Sequence, residues 1–322
     1  MKNQMTAFNG DASRKQALIE SIRGRWLANE LAPCAILKWA PNIGFFSLNG
    51  ALIEGEDAQA YEQRTGIPVT LALLCESMMA VATVTTPDAS KPVGHRFHLS
   101  DRIRSFGLEW LEAIRPGADL AGVQTRFMVS FIDWFLSPGY ALGAHLERGV
   151  RVVAERILAT WKLELAGTLS DDKLWRDIRK AAVQASEACS DPWCYDLATA
   201  VESLAWPAAK IQAEFKQFFM VIVGQLSAWL QQPYLHPDDQ ANRIALFEAM
   251  RALSVAEAES SMDEQATEKL FESRPEWSRA LAGRRDTAIM ERARAARLKA
   301  MEATDPPIRE LMDSMLKLLA SA

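Results

Sequence analysis

The chain has 322 residues, of which 49% are hydrophobic and 24% charged, with a net charge of −5. That composition supplies a sizeable core and excludes an intrinsically disordered chain. The acidic balance excludes a general electrostatic pull towards nucleic acid or anionic lipid.

Taken in chain order, Asn9-Gly10-Asp11 reads as a turn and N-cap for a helix over 12–31. Its Ala17, Leu18, Ile22, Trp26 and Leu27 recur at helical spacing, and Pro33 ends it. In 35–54 the runs FFSL and ALIE flank Asn49-Gly50, a type I′ turn signal, so one small β-hairpin is expected there. Asp57 caps a short helix that Gly66 stops, and Pro68 opens a longer one, PVTLALLCESMMAVATV. TTPDASKPVG contains two prolines and no periodicity. The segment 85–98 is therefore read as a loop between an N-terminal helical subdomain, 1–84, and a main helical domain, 99–322.

Beyond 99 the pattern is helical. Ser100 caps DRIRSFGLEWLEAI, Asp119 begins DLAGVQTRFMVSFIDWFL, and 143–166 carries Leu146, Val150, Val153, Ile157 and Trp161 on one face. Helices over 171–188 and 193–204 lead to FKQFFMVIVGQLSAWL at 215–230. Phe218 to Gly224 lacks a polar side chain, but a membrane crossing needs about 20 apolar residues. Lys216, Gln217, Gln225, Gln231 and Gln232 cut the run short, which makes it a central buried helix and no membrane span. After Pro233 and Pro237 a helix covers 238–258. The charge then splits: seven acids between Val255 and Glu276 precede seven bases between Trp277 and Ala300. Pro306-Pro307 starts a closing helix, IRELMDSMLKLLA. The expected fold is all-α, a multi-helix globular bundle with a central buried helix and one small hairpin.

Three blocks, AFNGDASRKQALIESIR (7–23), DAQAYEQRTGIPVTLALLCE (57–76) and EAIRPGADLAGVQTRFMVSFIDW (112–134), resemble a family of uncharacterised helical proteins of bacterial and phage genomes. The resemblance implies a helical fold and no mechanism. Many of those relatives carry two cysteines and a histidine just before the block at Asp57. An ungapped match places Ser47, Ala51 and Glu54 there, so thiol or metal chemistry at that loop does not carry over.

Few motifs carry chemistry. His95-x-x-His98 can place two imidazoles on one side of a turn, and His145, His236 and Asp238 could join them at a metal with an open coordination position. The spacing matches neither His-Glu-x-x-His nor paired Glu-x-x-His, so loop histidines and an N-capping Asp238 are the simpler reading. Phosphate loops and nucleophile elbows are absent. Asp171-Asp172 and Asp238-Asp239 sit at helix starts, where the dipole favours acids. Cys189 and Cys194 are too far apart for a redox Cys-x-x-Cys, and all four cysteines read as small hydrophobes.

The basic stretch after 284 holds Arg284, Arg285, Arg292 and Lys299 at heptad-like spacing, a face that could meet phosphates. The acidic segment before it, or an acidic partner protein, could equally satisfy those charges. Of ten tryptophans, Trp39, Trp193 and Trp277 fall outside the periodic stripes and are read as candidate exposed anchors.

The favoured expectation is a non-enzymatic interaction or regulatory protein that binds another protein through Trp277, Arg284, Arg285, Arg292 and Lys299, with no cofactor. The rival is a metal-dependent helical hydrolase using His95, His98, His145, His236 and Asp238. A third reading is nucleic-acid binding through 284–299. Few cysteines and no apolar leader in MKNQMTAFNGDASRK place the chain in a reducing cytoplasm, with a homodimer as the base-rate assembly.

Overall fold

The computed structural model describes residues 5–137, 146–168, 172–190, 192–259, 269–283 and 286–322. Helices dominate. The first half contains α1 (Ala12–Leu27), α2 (Leu48–Ile53), α3 (Ala58–Thr65), α4 (Val69–Ala80), α5 (Asp101–Ala113) and α6 (Val123–Leu136). The second half contains α7 (Arg148–Leu165), α8 (Asp172–Glu187), α9 (Pro192–Ser203), α10 (Ala208–Ile211), α11 (Phe215–Gln231), α12 (Pro237–Glu259), α13 (Pro275–Gly283), α14 (Thr287–Lys299) and α15 (Met301–Ala320).

Local chemistry explains where many of them begin. Asp11 accepts hydrogen bonds from Ser13 N and Arg14 N at α1, Asp57 from Ala60 N at α3, Ser100 from Ile103 N at α5, and Asp286 from Ala288 N and Ile289 N at α14. Each satisfies donors that a helix start otherwise leaves unpaired.

Two antiparallel pairs complete the fold. In the first, β1 (Trp39–Ala40) pairs with β2 (Phe45–Phe46). In the second, β3 (Val84–Pro87) pairs with β4 (His95–His98) in the register Val84 to His98 and Pro87 to His95. These positions correct two expectations. Asn49-Gly50 does not turn a hairpin; it lies in the first turn of α2. Ser47 caps it through Gly50 N, and Glu76 accepts from Leu48 N and Asn49 N, so the helix start is satisfied from two sides. Gly50 is there for space: a Cβ on it would lie 2.2 Å from the Lys38 carbonyl oxygen. The expected loop 85–98 is largely the β3–β4 hairpin. Pro87 fits because it occupies a non-hydrogen-bonded pair, where no N–H is required.

One buried cluster runs from Ala7 to Leu319. Helices α1 and α4 pack against α5, and α15 packs against α4, α5, α6 and α11. Helix α11 buries Phe215, Phe219, Ile222, Val223 and Leu226, with the Phe219 ring centroid 5.0 Å from that of Phe131. Val221, on its other side, is 42% exposed, so its apolar run is wider than its buried face. A second, small cluster of Ala245, Ala249, Trp277 and Ala280 joins α12 to α13. Among the described residues, no helix is long and apolar enough to cross a membrane.

Candidate functional site

The described residues singled out from sequence lie on several elements: His95 and His98 on β4, His236 and Asp238 at the start of α12, Trp277 on α13, and Arg292 and Lys299 on α14. His145, Arg284 and Arg285 lie outside the described residues. Trp277 is buried, not presented: its indole meets Phe271 edge-on at 6.2 Å and Nε1 donates to Glu248 at 3.4 Å. Besides Phe271, the indole shares a small buried cluster with Ala280 on its own helix and with Ala245 and Ala249 of α12. Trp39 is half-buried beside Phe46, their ring centroids 4.6 Å apart.

Arg292 forms a two-pronged pair with Asp239, Nε to Oδ2 at 3.0 Å and Nη2 to Oδ1 at 2.6 Å. The guanidinium holds the Asp239 carboxyl below the ordinary carboxylate range. Arg297 donates to the Val81 carbonyl at 3.0 Å, while Lys299 is exposed. The basic helix α14 is thus partly sewn into its own molecule. His236 faces Asp238, Nδ1 to Oδ2 at 3.5 Å. Among the described residues, no three His, Cys, Asp or Glu side chains stand together as a metal site.

Two polar features were not singled out in the sequence. The first is Glu76, fully buried in α4. Its carboxylate accepts from Cys34 N (3.2 Å), Leu48 N (3.0 Å), Asn49 N (3.1 Å) and Asn49 Nδ2 (2.6 Å). Asn49 Oδ1 in turn accepts from the Tyr61 hydroxyl at 2.8 Å. Burial pushes the Glu76 pKa up to about 7, against the pull of the four donors. This closed network pins 34–36 and α2 to α4 and leaves no open position for a substrate. Burial, with the Glu76 charge nearby, pushes the Cys34 thiol up to about 12, and burial raises Cys75 and Cys189 as well. None of the three is an activated nucleophile. The signal was legible: Glu76 is the one charged residue between Pro68 and Asp88.

The second is an open cleft of about 540 Å³ between the turn after α1, β2, the β3–β4 hairpin and the start of α5. Its size falls within the usual range for ligand sites. At one end Pro92, in the hairpin turn, meets Gly44, whose φ is +62° and whose added Cβ would lie 2.9 Å from Pro92 Cβ. Phe45 and Phe97 face each other at 6.3 Å. His95 and His98 line this cleft as strand residues, with His98 Nε2 2.8 Å from Thr86 Oγ1 and His95 Nδ1 2.9 Å from the Val93 carbonyl.

Backbone polarity gives the cleft its character. Asp88 N donates to Gly94 O, and antiparallel pairing alternates from there, so Arg96 and His98 turn their backbone groups to β3. The N–H and C=O of His95 and Phe97 point the other way, along the free edge of β4, and have no partner among the described residues. The charge is one-sided. Arg96 is shared with Asp88 at 3.0 Å, but Lys91 and the half-buried Arg104 have no carboxylate partner among the described residues. Glu30, the one acid lining the cleft among the described residues, is paired to Arg25 at 3.3 Å. Sequence reading missed Phe45, Phe97, Lys91 and Arg104 because the hairpin that assembles them was read as a loop. Set against known proteins, the chain finds no match among protein-family models, curated proteins or solved structures.

Proposed function

We propose that this chain is a non-enzymatic interaction protein that holds an extended segment of a partner protein in the cleft beside β4. The observation carrying this reading is the edge of β4: the backbone groups of His95 and Phe97 have no partner among the described residues and lie beside a cleft lined by Phe45 and Phe97. An unprotected strand edge is a template for another strand, and recognition by strand addition takes its affinity from such main-chain bonds. The buried free thiols fit a reducing cytoplasm. The lack of a ligand cluster among the described residues weighs against the hydrolase. The commitment of Arg292 to Asp239 weighs against a phosphate-binding stripe on α14.

The test uses the free edge. Phe97→Pro removes the outward N–H without touching a ladder bond, and Phe97→Ala removes the ring but keeps the N–H. Peptides enriched from a displayed random library on the wild-type chain should be lost on F97P, retained more weakly on F97A, with both variants folded. No enrichment on the wild type, or the same peptides retained on F97P, would sink the reading.

A further inference from the structure

We infer that the segment taken by the cleft is an extended acidic strand in which carboxylates alternate with apolar side chains. This inference rests on the strand-addition reading above and adds the chemistry of the ligand.

The faces of β4 set the alternation. Successive strand side chains point to opposite faces, and a strand added alongside continues both faces. Arg96 and His98 share one face of the hairpin with Asp88 and Thr86, as the cross-strand bonds Arg96 Nε to Asp88 Oδ2 (3.1 Å) and Thr86 Oγ1 to His98 Nε2 (2.8 Å) require. His95 and Phe97 occupy the opposite face, where Phe97 meets Phe45. A strand docked on the free edge therefore meets a polar face, with Arg96 and His98, and a face carrying the Phe97 ring at alternate residues.

Charge selects the sign of the polar positions. Lys91 and Arg104 both line the cleft, and neither has a carboxylate partner among the described residues. The one lining acid, Glu30, is already held by Arg25. A basic segment would bring like charges to these two side chains and gain nothing from Glu30; an acidic segment supplies the missing partners. The cations are also a local departure from a chain whose net charge is −5. Nucleic acid would use the same charges but not the strand edge, because it has no backbone N–H and C=O ladder to offer. Recognition is then split between main-chain bonds from His95 and Phe97, which hold any extended chain, and the two cations, which choose an acidic one.

The experiment is fluorescence anisotropy on the full chain with four labelled probes. One is a peptide of roughly eight residues alternating Glu and Val, long enough to cover a typical strand. The second alternates Lys and Val, the third has the Glu and Val residues in two blocks, and the fourth is an oligothymidine. The alternating acidic peptide is expected to bind at least tenfold more tightly than the other three. Its affinity should fall at least severalfold as salt rises through the screening range. Arg104→Gln combined with Lys91→Glu should weaken it at least tenfold in protein with unchanged circular dichroism and melting temperature. Equal binding of the Lys–Val peptide would overturn the acidic assignment and leave strand capture standing, and equal binding of the block peptide would do the same for the alternation. Binding untouched by F97P would remove strand addition and with it the proposed function. Preference for the oligothymidine, or no binding by any probe, would overturn both.

Discussion

Glu76 is a carboxyl group buried from solvent, and its behaviour with pH follows from that. Its folded-state pKa, about 7, lies above its ordinary 4.5. Its contribution to stability is therefore complete below pH 4.5 and is lost as pH rises through 7. The Gln variant keeps the shape and one acceptor but does not titrate. Relative to E76Q, the wild type should lose on the order of 3 kcal/mol between pH 4.5 and 7.5, read from urea unfolding at both values. A constant difference between the two proteins would show that the four donors fully compensate the burial. Asp239 runs the other way. Its pKa is depressed by Arg292, so its contribution is present above the ordinary 3.8 and is lost as pH falls through its lower folded value. R292A should remove that acid-side loss, measured as the pH midpoint of acid unfolding.

At the scale of elements, the β3–β4 hairpin is held in place by a small contact with a large consequence. Gly44 has a left-handed backbone and admits Pro92 against its α-carbon. Gly44→Ala introduces strain at φ +62° of about 1 kcal/mol and a Cβ that forces the hairpin tip away. The expected outcome is a modest drop in melting temperature with a larger loss of peptide binding, since the cleft is bounded by that tip. Equal losses would mean that the tip does not shape the cleft. Helix α13 shows the reverse case, an element whose aromatic is purely internal. Trp277→Ala should destabilise the α12–α13 contact by about 3 kcal/mol, visible as faster amide exchange there, and leave peptide binding unchanged.

For the whole molecule, α15 is the closing piece. Ile308, Leu311, Met312, Met315 and Leu319 are buried against helices drawn from both halves of the chain. Arg309 adds an ion pair to Glu109 at 2.7 Å and Arg115 a hydrogen bond to the Ala322 carbonyl at 2.6 Å. Leu311→Ala should cost about 2–5 kcal/mol in denaturant unfolding, with a single transition if the large cluster behaves as one cooperative unit. Two resolved transitions would show that it does not. The cleft is built from residues of 28–46 and 91–104, segments far apart in the chain.

Much of the fold was legible without coordinates. The all-α class, the caps at Asp11, Asp57 and Ser100, the stop at Gly66 and the apolar run of α11 all depend on groups within a turn or two of one another. Hydrogen bonds from a cap to the second or third following N–H, and apolar spacing near 3.6 residues, are properties of the local chain. The tertiary structure alone decided the features that matter for a site. Asn49-Gly50 is an equally good turn signal in isolation; it became a helix start because Glu76, 27 residues on, accepts the Asn49 N–H. Pro87 argues against a strand until its register shows that no N–H is needed there. Whether Arg292 is a free cation depended on Asp239, 53 residues away, and whether Lys91 and Arg104 are left without an acid depended on which elements close the cleft. The physical reason is the same each time. Local hydrogen bonding and periodicity choose the element, whereas burial, edge exposure and charge pairing are settled by neighbours that are remote in sequence.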